Sequence, residues 1–212
     1  MAKSMDAVEK LVREKLEPYV AALGKVAHSW NHLQDALAEL FFIVTGLEQL
    51  VAEAIWHSML NDRWQRELLR AAVTATTNRR LTEDLPKAKD DILWLLQKAD
   101  DVGRKRDTAV HAPITVAITS PIAADFEDKV ELIPDTFYGN RLARKLVGKD
   151  ILAEFEWYEL TADALTSFAR GIKRAIETSG NPRPFPWPDR PRLPVLEQRG
   201  SRKQTRHKNE NK

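Results

Sequence analysis

The sequence predicts a mainly α fold: a helical bundle with a small β-rich insertion before its last helix and a disordered, basic C-terminal tail. Three observations predict it. Val26, Trp30, Leu33, Leu37, Leu40 and Val44 advance in alternating steps of four and three, a heptad-like seam. Ile92, Leu95, Leu96, Ala99, Val102, Gly103 and Val110 line a second helical stripe. After Pro113 the pattern changes to short alternating runs, and helical spacing returns with Leu165, Phe168, Ile172 and Ile176.

Composition bounds the class. The 212 residues are 43% hydrophobic and 30% charged, the balance of a soluble globular chain. One domain over residues 1–180 and a tail over 181–212 account for the length. The formal charge of +2 conceals an asymmetry. From Asn181 onward nine Lys/Arg oppose three Asp/Glu, while residues 1–180 carry 24 against 28. The tail is the basic part and the folded part is mildly acidic. There is no cysteine, which excludes disulfides and leaves the redox compartment open. The N-terminus shows no apolar h-region. The longest apolar run, Ala36 to Leu50, carries Glu39 and Glu48 and is too short to span a bilayer. A cytoplasmic protein without a membrane partner is the expectation.

In chain order, a first helix is expected over Met5–Leu16, disturbed by Pro18, with Gly24 ending the segment. The seam marks the second helix, which Gly46 either breaks or bends before Leu47, Leu50, Val51, Ala54 and Ile55 continue the period. Asn61-Asp62 caps a third, with Trp64, Leu68, Leu69 and Ala72 as its buried face. Thr76–Pro86 is polar and reads as a loop. The fourth helix starts near Lys87 and stops at His111, because Pro113 biases Ala112 away from helical angles.

Ile114–Thr119, Val130–Ile133 and Ile151–Tyr158 then read as strands, the last with Ile151, Ala153, Phe155 and Trp157 on one face. Asn140–Val147 fits a short helix bearing Arg141, Arg144 and Lys145, ended by Gly148. Residues 114–160 thus form the insertion, and Thr161 caps the final helix. Six of the eleven prolines fall between Asn181 and Pro194, a composition prone to polyproline II and disorder. Phe185, Trp187, Leu193 and Val195 are the residues able to pin the start of this tail onto the domain.

The chemistry concentrates between Gly103 and Pro113. At about 100° per residue, Arg106 falls in the apolar stripe. Its permanent charge then requires a carboxylate, a neighbouring subunit or a bound anion. His111 has a side chain suited to proton transfer near neutral pH. Asp107, one turn earlier, is placed to orient its ring. An anion-holding arginine beside an oriented histidine is the equipment of phosphoryl-transfer chemistry without a metal. The plainer reading is a helix-end histidine and an arginine that only pair with carboxylates.

Arg106-Asp107-Thr108-Ala109-Val110-His111 resembles the Arg-polar-x-x-x-His signature of the HEPN superfamily, helical domains named for higher eukaryotes and prokaryotes. Arg202 and His207 repeat the spacing in the tail, so the weight rests on context, three amphipathic helices upstream and one downstream. The resemblance covers the second helix through the last, interrupted by the insertion. It implies an antiparallel bundle that forms a homodimer, in which two motifs meet as one composite site and cleave RNA without a cofactor. One His111 per subunit would supply the base and the acid that in-line attack by a ribose 2′-hydroxyl needs. Arg106 would hold the phosphate and stabilise its developing charge. Defence or toxin–antitoxin biology, with an antitoxin or regulatory partner, follows from the resemblance alone.

The family pattern allows four to six residues between arginine and histidine, so Arg104 also qualifies; Asp107 directly after Arg106 favours Arg106. Some members carry a tyrosine two residues after the histidine that the antitoxin modifies. This chain has Pro113 there, so that scheme is not supported.

Other candidates weigh less. His28 and His32 lie one turn apart with Asp35 and Glu39 continuing the face, but no third-ligand motif accompanies them, so no metal site is expected. His57 is expected to pack near the bundle end. Arg141, Arg144 and Lys145 are candidates for contact with an RNA backbone, or simply a solvated face. Arg199, Arg202, Lys203, Arg206 and Lys208 would add nonspecific affinity for nucleic acid or bind an acidic partner. The leading expectation is a metal-independent endoribonuclease. The alternatives are a non-catalytic helical module that binds nucleotide, RNA or a protein partner and, behind it, a metal-dependent enzyme built on His28 and His32.

Overall fold

The heptad-like seam becomes one helix much longer than its local signals suggest. A computed structural model describes residues 5–119 and 129–196, and in it α1 runs unbroken over Met5–Thr45. The expected stop at Gly24 does not occur, and Pro18 sits inside the helix. Proline forfeits one backbone hydrogen bond there. Tyr19, Ala22 and Leu23 nevertheless pack against the core, with Tyr19 and Phe155 ring centres 5.4 Å apart. Tertiary burial outweighs local propensity. What ends α1 is Gly46, at φ 64°, a conformation that L side chains rarely adopt.

α2 covers Gln49–His57, and Glu48 caps it by accepting from the N–H groups of Leu50 and Val51. α3 covers Asp62–Ala75 with Asn61 as its cap, as predicted. Its buried face matches the predicted one at Leu69, Leu68 and Ala72, which are buried or packed against the core, but not at Trp64. Arg66, Leu69 and Val73 are buried, Leu68 and Ala72 are half-buried, and Trp64 is exposed. The expected loop Thr76–Pro86 contains a π-helical turn, Arg80–Asp84, which buries Leu81. α4, Ala88–His111, has the predicted limits, and its stripe from Ile92 to Gly103 is buried.

The first two predicted strands form the hairpin β1 (Ile114–Thr119) and β2 (Lys129–Pro134), antiparallel from Ile114↔Pro134 to Thr119↔Lys129. A 3₁₀ turn, Phe137–Gly139, leads into the short α5, Arg141–Arg144. The third predicted strand is helical. α6 spans Ile151–Thr178 and starts on Asp150, whose Oδ1 accepts from Ala153 N–H at 3.1 Å. Ile151, Phe155, Tyr158, Ala162 and Leu165 are all buried at helical spacing. Two of the alternating residues, Ile151 and Phe155, therefore satisfy the helical period as well, and the longer element wins. The insertion contracts to residues 114–150.

Pairs along the helices fix their directions. Arg66 meets Asp100 and Thr74 meets Lys89, so α3 and α4 are antiparallel. Trp94 meets Phe168 and Lys105 meets Trp157, so α4 and α6 are antiparallel. Tyr19 meets Phe155 and Glu39 meets Lys173, so α1 and α6 run the same way, with α2 folded back against α1. Residues 181–196 of the expected tail do not leave the domain. They pass over α6 and α4, where Trp187 and Leu193 pack against the core while Val195 stays exposed. Residues 197–212 lie outside the described residues. No helix among the described residues is long and apolar enough to cross a membrane.

Candidate functional site

The motif occupies the last two turns of α4, and its residues are held unequally. Arg106 is largely covered. Its Nη1 is paired with Asp107 Oδ1 at 2.5 Å and lies 3.8 Å from Asp62 Oδ2, while its guanidinium sits over the Trp30 ring at 4.7 Å. Its Nε is buried without a hydrogen-bond partner. His111 is exposed, at the point where Ala112 turns to extended backbone before Pro113. Asp107 gives its carboxylate to Arg106 and makes no hydrogen bond to His111. Arg104 points to solvent and pairs with Asp101. Of the two candidate arginines, only Arg106 is built into the fold.

Besides Asp107, Arg106 is held by side chains whose sequence pattern points to other roles, Trp30 in the core seam and Asp62 in a helix cap. Trp30 Nε1 donates to Asp62 Oδ2 at 2.8 Å. The same Asp62 oxygen lies 3.5 Å from Nη1 of Arg66, which is only 4% exposed. Arg66 Nε donates to Asp100 Oδ1 at 2.7 Å, and Arg70 Nη2 donates to Asp100 Oδ2 at 2.6 Å. Three arginines and three aspartates from α3 and α4 thus close on a tryptophan from α1, with the charges balanced. A buried charge is tolerable only when paired in this way. One signal was available in the sequence: Arg66, Leu69 and Val73 share helical spacing, so Arg66, like Arg106, stands where an apolar residue is expected.

The insertion brings further groups to the same end of α4. Asp135 N–H donates to the Pro113 carbonyl at 2.8 Å, and Asp135 Oδ1 accepts from Phe137 N–H at 2.9 Å. Arg141, Arg144 and Lys145 are all exposed there.

The remaining candidates lie apart. His28 and His32 have ring centres 4.1 Å apart on α1, but Glu39 is engaged by Lys173. No group of three or more metal-binding side chains converges among the described residues. His57 is exposed at the end of α2 rather than packed. Arg199, Arg202, Lys203, Arg206 and Lys208 fall outside the described residues. A cleft of about 370 Å³ opens at the opposite end of α4, between Pro86–Asp91 and Pro188–Arg190. It is the seam where residues 181–196 dock. No family model, no curated protein and no solved structure matches the chain.

Proposed function

We propose that the protein is a metal-independent endoribonuclease of HEPN type, working in the cytoplasm as a homodimer with one composite site. The observation that carries this reading is that the last two turns of α4 hold an oriented, largely covered Arg106 and, five residues on, an exposed His111. His111 of one subunit removes the proton from a ribose 2′-hydroxyl, whose oxygen attacks the adjacent phosphorus. The P–O5′ bond breaks, and His111 of the second subunit protonates the leaving oxygen. The products carry 2′,3′-cyclic phosphate and 5′-hydroxyl ends. Arg106 donates to the phosphate as its charge grows. Asp107, half exposed, yields its place on Nη1, whereas Asp62 and Trp30 keep the guanidinium aimed. Defence or toxin–antitoxin biology, with a protein that restrains the enzyme, is the setting that this activity suits.

The test is incubation of purified protein with structured and unstructured RNA in EDTA, beside His111→Ala and Arg106→Ala. Cleavage that needs both residues and leaves cyclic phosphate ends supports the reading. Folded variants that cleave like wild type would sink it.

A second reading has its own observation. Asp62 and Asp107 already neutralise Arg106, which suits a non-catalytic module. RNA or protein binding without cleavage, indifferent to His111→Ala, would select it.

A further inference from the structure

The docked segment 181–196 runs back along α6, opposite to it in direction. Phe185 lies against Arg174, Pro188 against Gly171 and Pro194 against Trp157. A Cβ at position 171 would lie 3.1 Å from Pro188 Cβ, so glycine is what lets the segment approach. On α4, Arg190 sits over the Trp94 ring at 5.4 Å and pairs with Asp91. The segment therefore starts beside the first turns of α4 and finishes at Trp157, toward the end that carries Arg106 and His111.

Two lysines of α4 stand along this path. Lys98 Nζ lies 6.0 Å from the centre of the Trp94 ring, and Lys105 Nζ lies 4.7 Å from that of Trp157. The segment holds each ring, Trp94 under Arg190 and Trp157 through its bond to the Pro194 carbonyl. Arg192, exposed, falls between these two anchors. None of the three cations meets a carboxylate among the described residues. The carboxylates between the lysines on α4 are taken, Asp100 by Arg66 and Arg70, Asp101 by Arg104. An aromatic face attracts a cation without neutralising it, so the N–H donors stay available. Lys98 and Lys105 are about 10 Å apart along the helix, and His111 is about 9 Å further.

Unneutralised cations spaced along one line are what a phosphate backbone binds. We infer that the segment is a strap that assembles Lys98, Arg192 and Lys105 into a track for RNA phosphates leading to Arg106 and His111. This rests on RNA being the substrate, as proposed above, and adds a second contact zone outside the motif. The track meets charge alone, so it takes single strands and duplexes alike.

The test is fluorescence anisotropy with a labelled oligouridine and an RNA duplex, in EDTA, with His111→Ala as a non-cleaving carrier. In that carrier Lys98→Gln, Arg192→Gln and Lys105→Gln together lower the slope of log affinity against log salt by about 2 on the single strand. Duplex binding falls as well. Arg79→Gln with Arg80→Gln removes two exposed cations near the other end of α4 and leaves both RNAs bound as before. Asp91→Ala touches no cation of the track, yet it loosens the strap and lowers both affinities about threefold or more, the loss of at least one phosphate contact. Circular dichroism confirms that the variants fold. Trp157→Phe, which deletes the bond to Pro194 and keeps a ring, takes the place of Asp91→Ala if the latter does not fold.

A triple variant that binds like its carrier overturns the inference, as does a folded strap variant that binds like it, or a carrier that binds no RNA. Cleavage by wild type alongside an unaffected triple variant leaves the endoribonuclease standing. Track-dependent binding without any cleavage removes the endoribonuclease and keeps the track.

Discussion

Trp30 Nε1 donates to Asp62 Oδ2 at 2.8 Å, and through this bond the long first helix fixes the carboxylate that faces both Arg66 and Arg106. Asp62 is therefore the shared counter-charge of two guanidinium groups on different helices. Asp62→Ala leaves Arg66, almost fully buried, with only Asp100, and removes the acceptor of an indole N–H. Its cost is about 2–3 kcal/mol, since a hydrogen bond to a charged group is lost and a buried charge loses a partner. Urea unfolding should show a lower midpoint with an unchanged slope. Asp62→Asn keeps an acceptor for Trp30 and should lose less.

Gly103 tests how tightly the helices close on this network. A Cβ added there would lie 3.0 Å from Trp30 Cη2 and 3.3 Å from Arg66 Nη2. Helix propensity favours Gly103→Ala by about 1 kcal/mol, but overpacking costs about 1–3 kcal/mol. The ring cannot retreat without breaking its bond to Asp62, so the net change is destabilising. Gly24→Ala is the control: it is also helical, with nothing within 4 Å, and should gain about 0.5–1 kcal/mol. Opposite signs in thermal denaturation are the expected result.

These two sites also show what the sequence revealed and what it hid. α4 was legible because one unbroken stripe and Pro113 fix both its face and its end. Asn61 announced α3 for a similarly local reason. α1 was misread because Pro18 and Gly24 are local stop signals, whereas the contacts of Tyr19 and Leu23 that override them are distant in sequence. Ile151–Tyr158 was misread because period two and period 3.6 share Ile151 and Phe155, and only the continuation to Ala162 and Leu165 separates them. Within the candidate site, Arg106 and His111 were legible as a pattern. Trp30, Asp62, Arg66 and Asp100 were not, because pairing across three helices leaves no trace in local spacing.

Residues 181–196 give a third prediction. Asp91, buried in the first turn of α4, accepts from Trp187 Nε1 at 2.7 Å and Arg190 Nε at 2.5 Å, while Trp157 Nε1 donates to the Pro194 carbonyl at 2.7 Å. Asp91→Ala removes both of these hydrogen bonds and leaves the Arg190 guanidinium over the Trp94 ring as a remaining contact with α4. Hydrogen exchange at the Phe185 amide, which donates to Thr178 Oγ1 at 2.8 Å, should rise by about tenfold, on the order of 1.4 kcal/mol of lost protection. Val195→Ser, at an exposed position, should change stability by less than about 0.5 kcal/mol.

Tyr158 makes stability fall in alkali. Its hydroxyl is buried and donates to Glu154 Oε2 at 2.6 Å, so burial first, and then the hydrogen bond and charge of Glu154, push its pKa well above the ordinary phenol value. Burial raises Tyr19 as well. In the unfolded chain the phenol ionises near pH ~10, whereas the folded protein keeps its proton. Above that pH the unfolded state binds fewer protons, so stability is intact below pH ~10 and declines above it, by at most about 1.4 kcal/mol per pH unit per tyrosine. Tyr158→Phe should flatten the decline while costing stability at neutral pH. An alkaline slope identical in both proteins would refute the assignment.

Arg106 and Arg104 give the most direct test of the motif. Arg104 is exposed and pairs only with Asp101 three residues away, so Arg104→Ala should change stability by less than about 0.5 kcal/mol. Arg106→Ala removes a cation shared by Asp62 and Asp107 and uncovers one side of Trp30, which lowers stability on the order of 1–2 kcal/mol. Arg106→Lys keeps the charge but offers one compact donor group instead of a planar fork. If Arg106 donates to the phosphate, both Arg106 variants lower kcat on RNA, the alanine by about 100-fold or more, and Arg104→Ala leaves it near wild type. If Arg106 only pairs with its aspartates, Arg106→Lys restores stability and no variant changes cleavage per folded molecule. A loss confined to Arg104→Ala would move the phosphate-holding role to that residue, even though the fold does nothing to brace it.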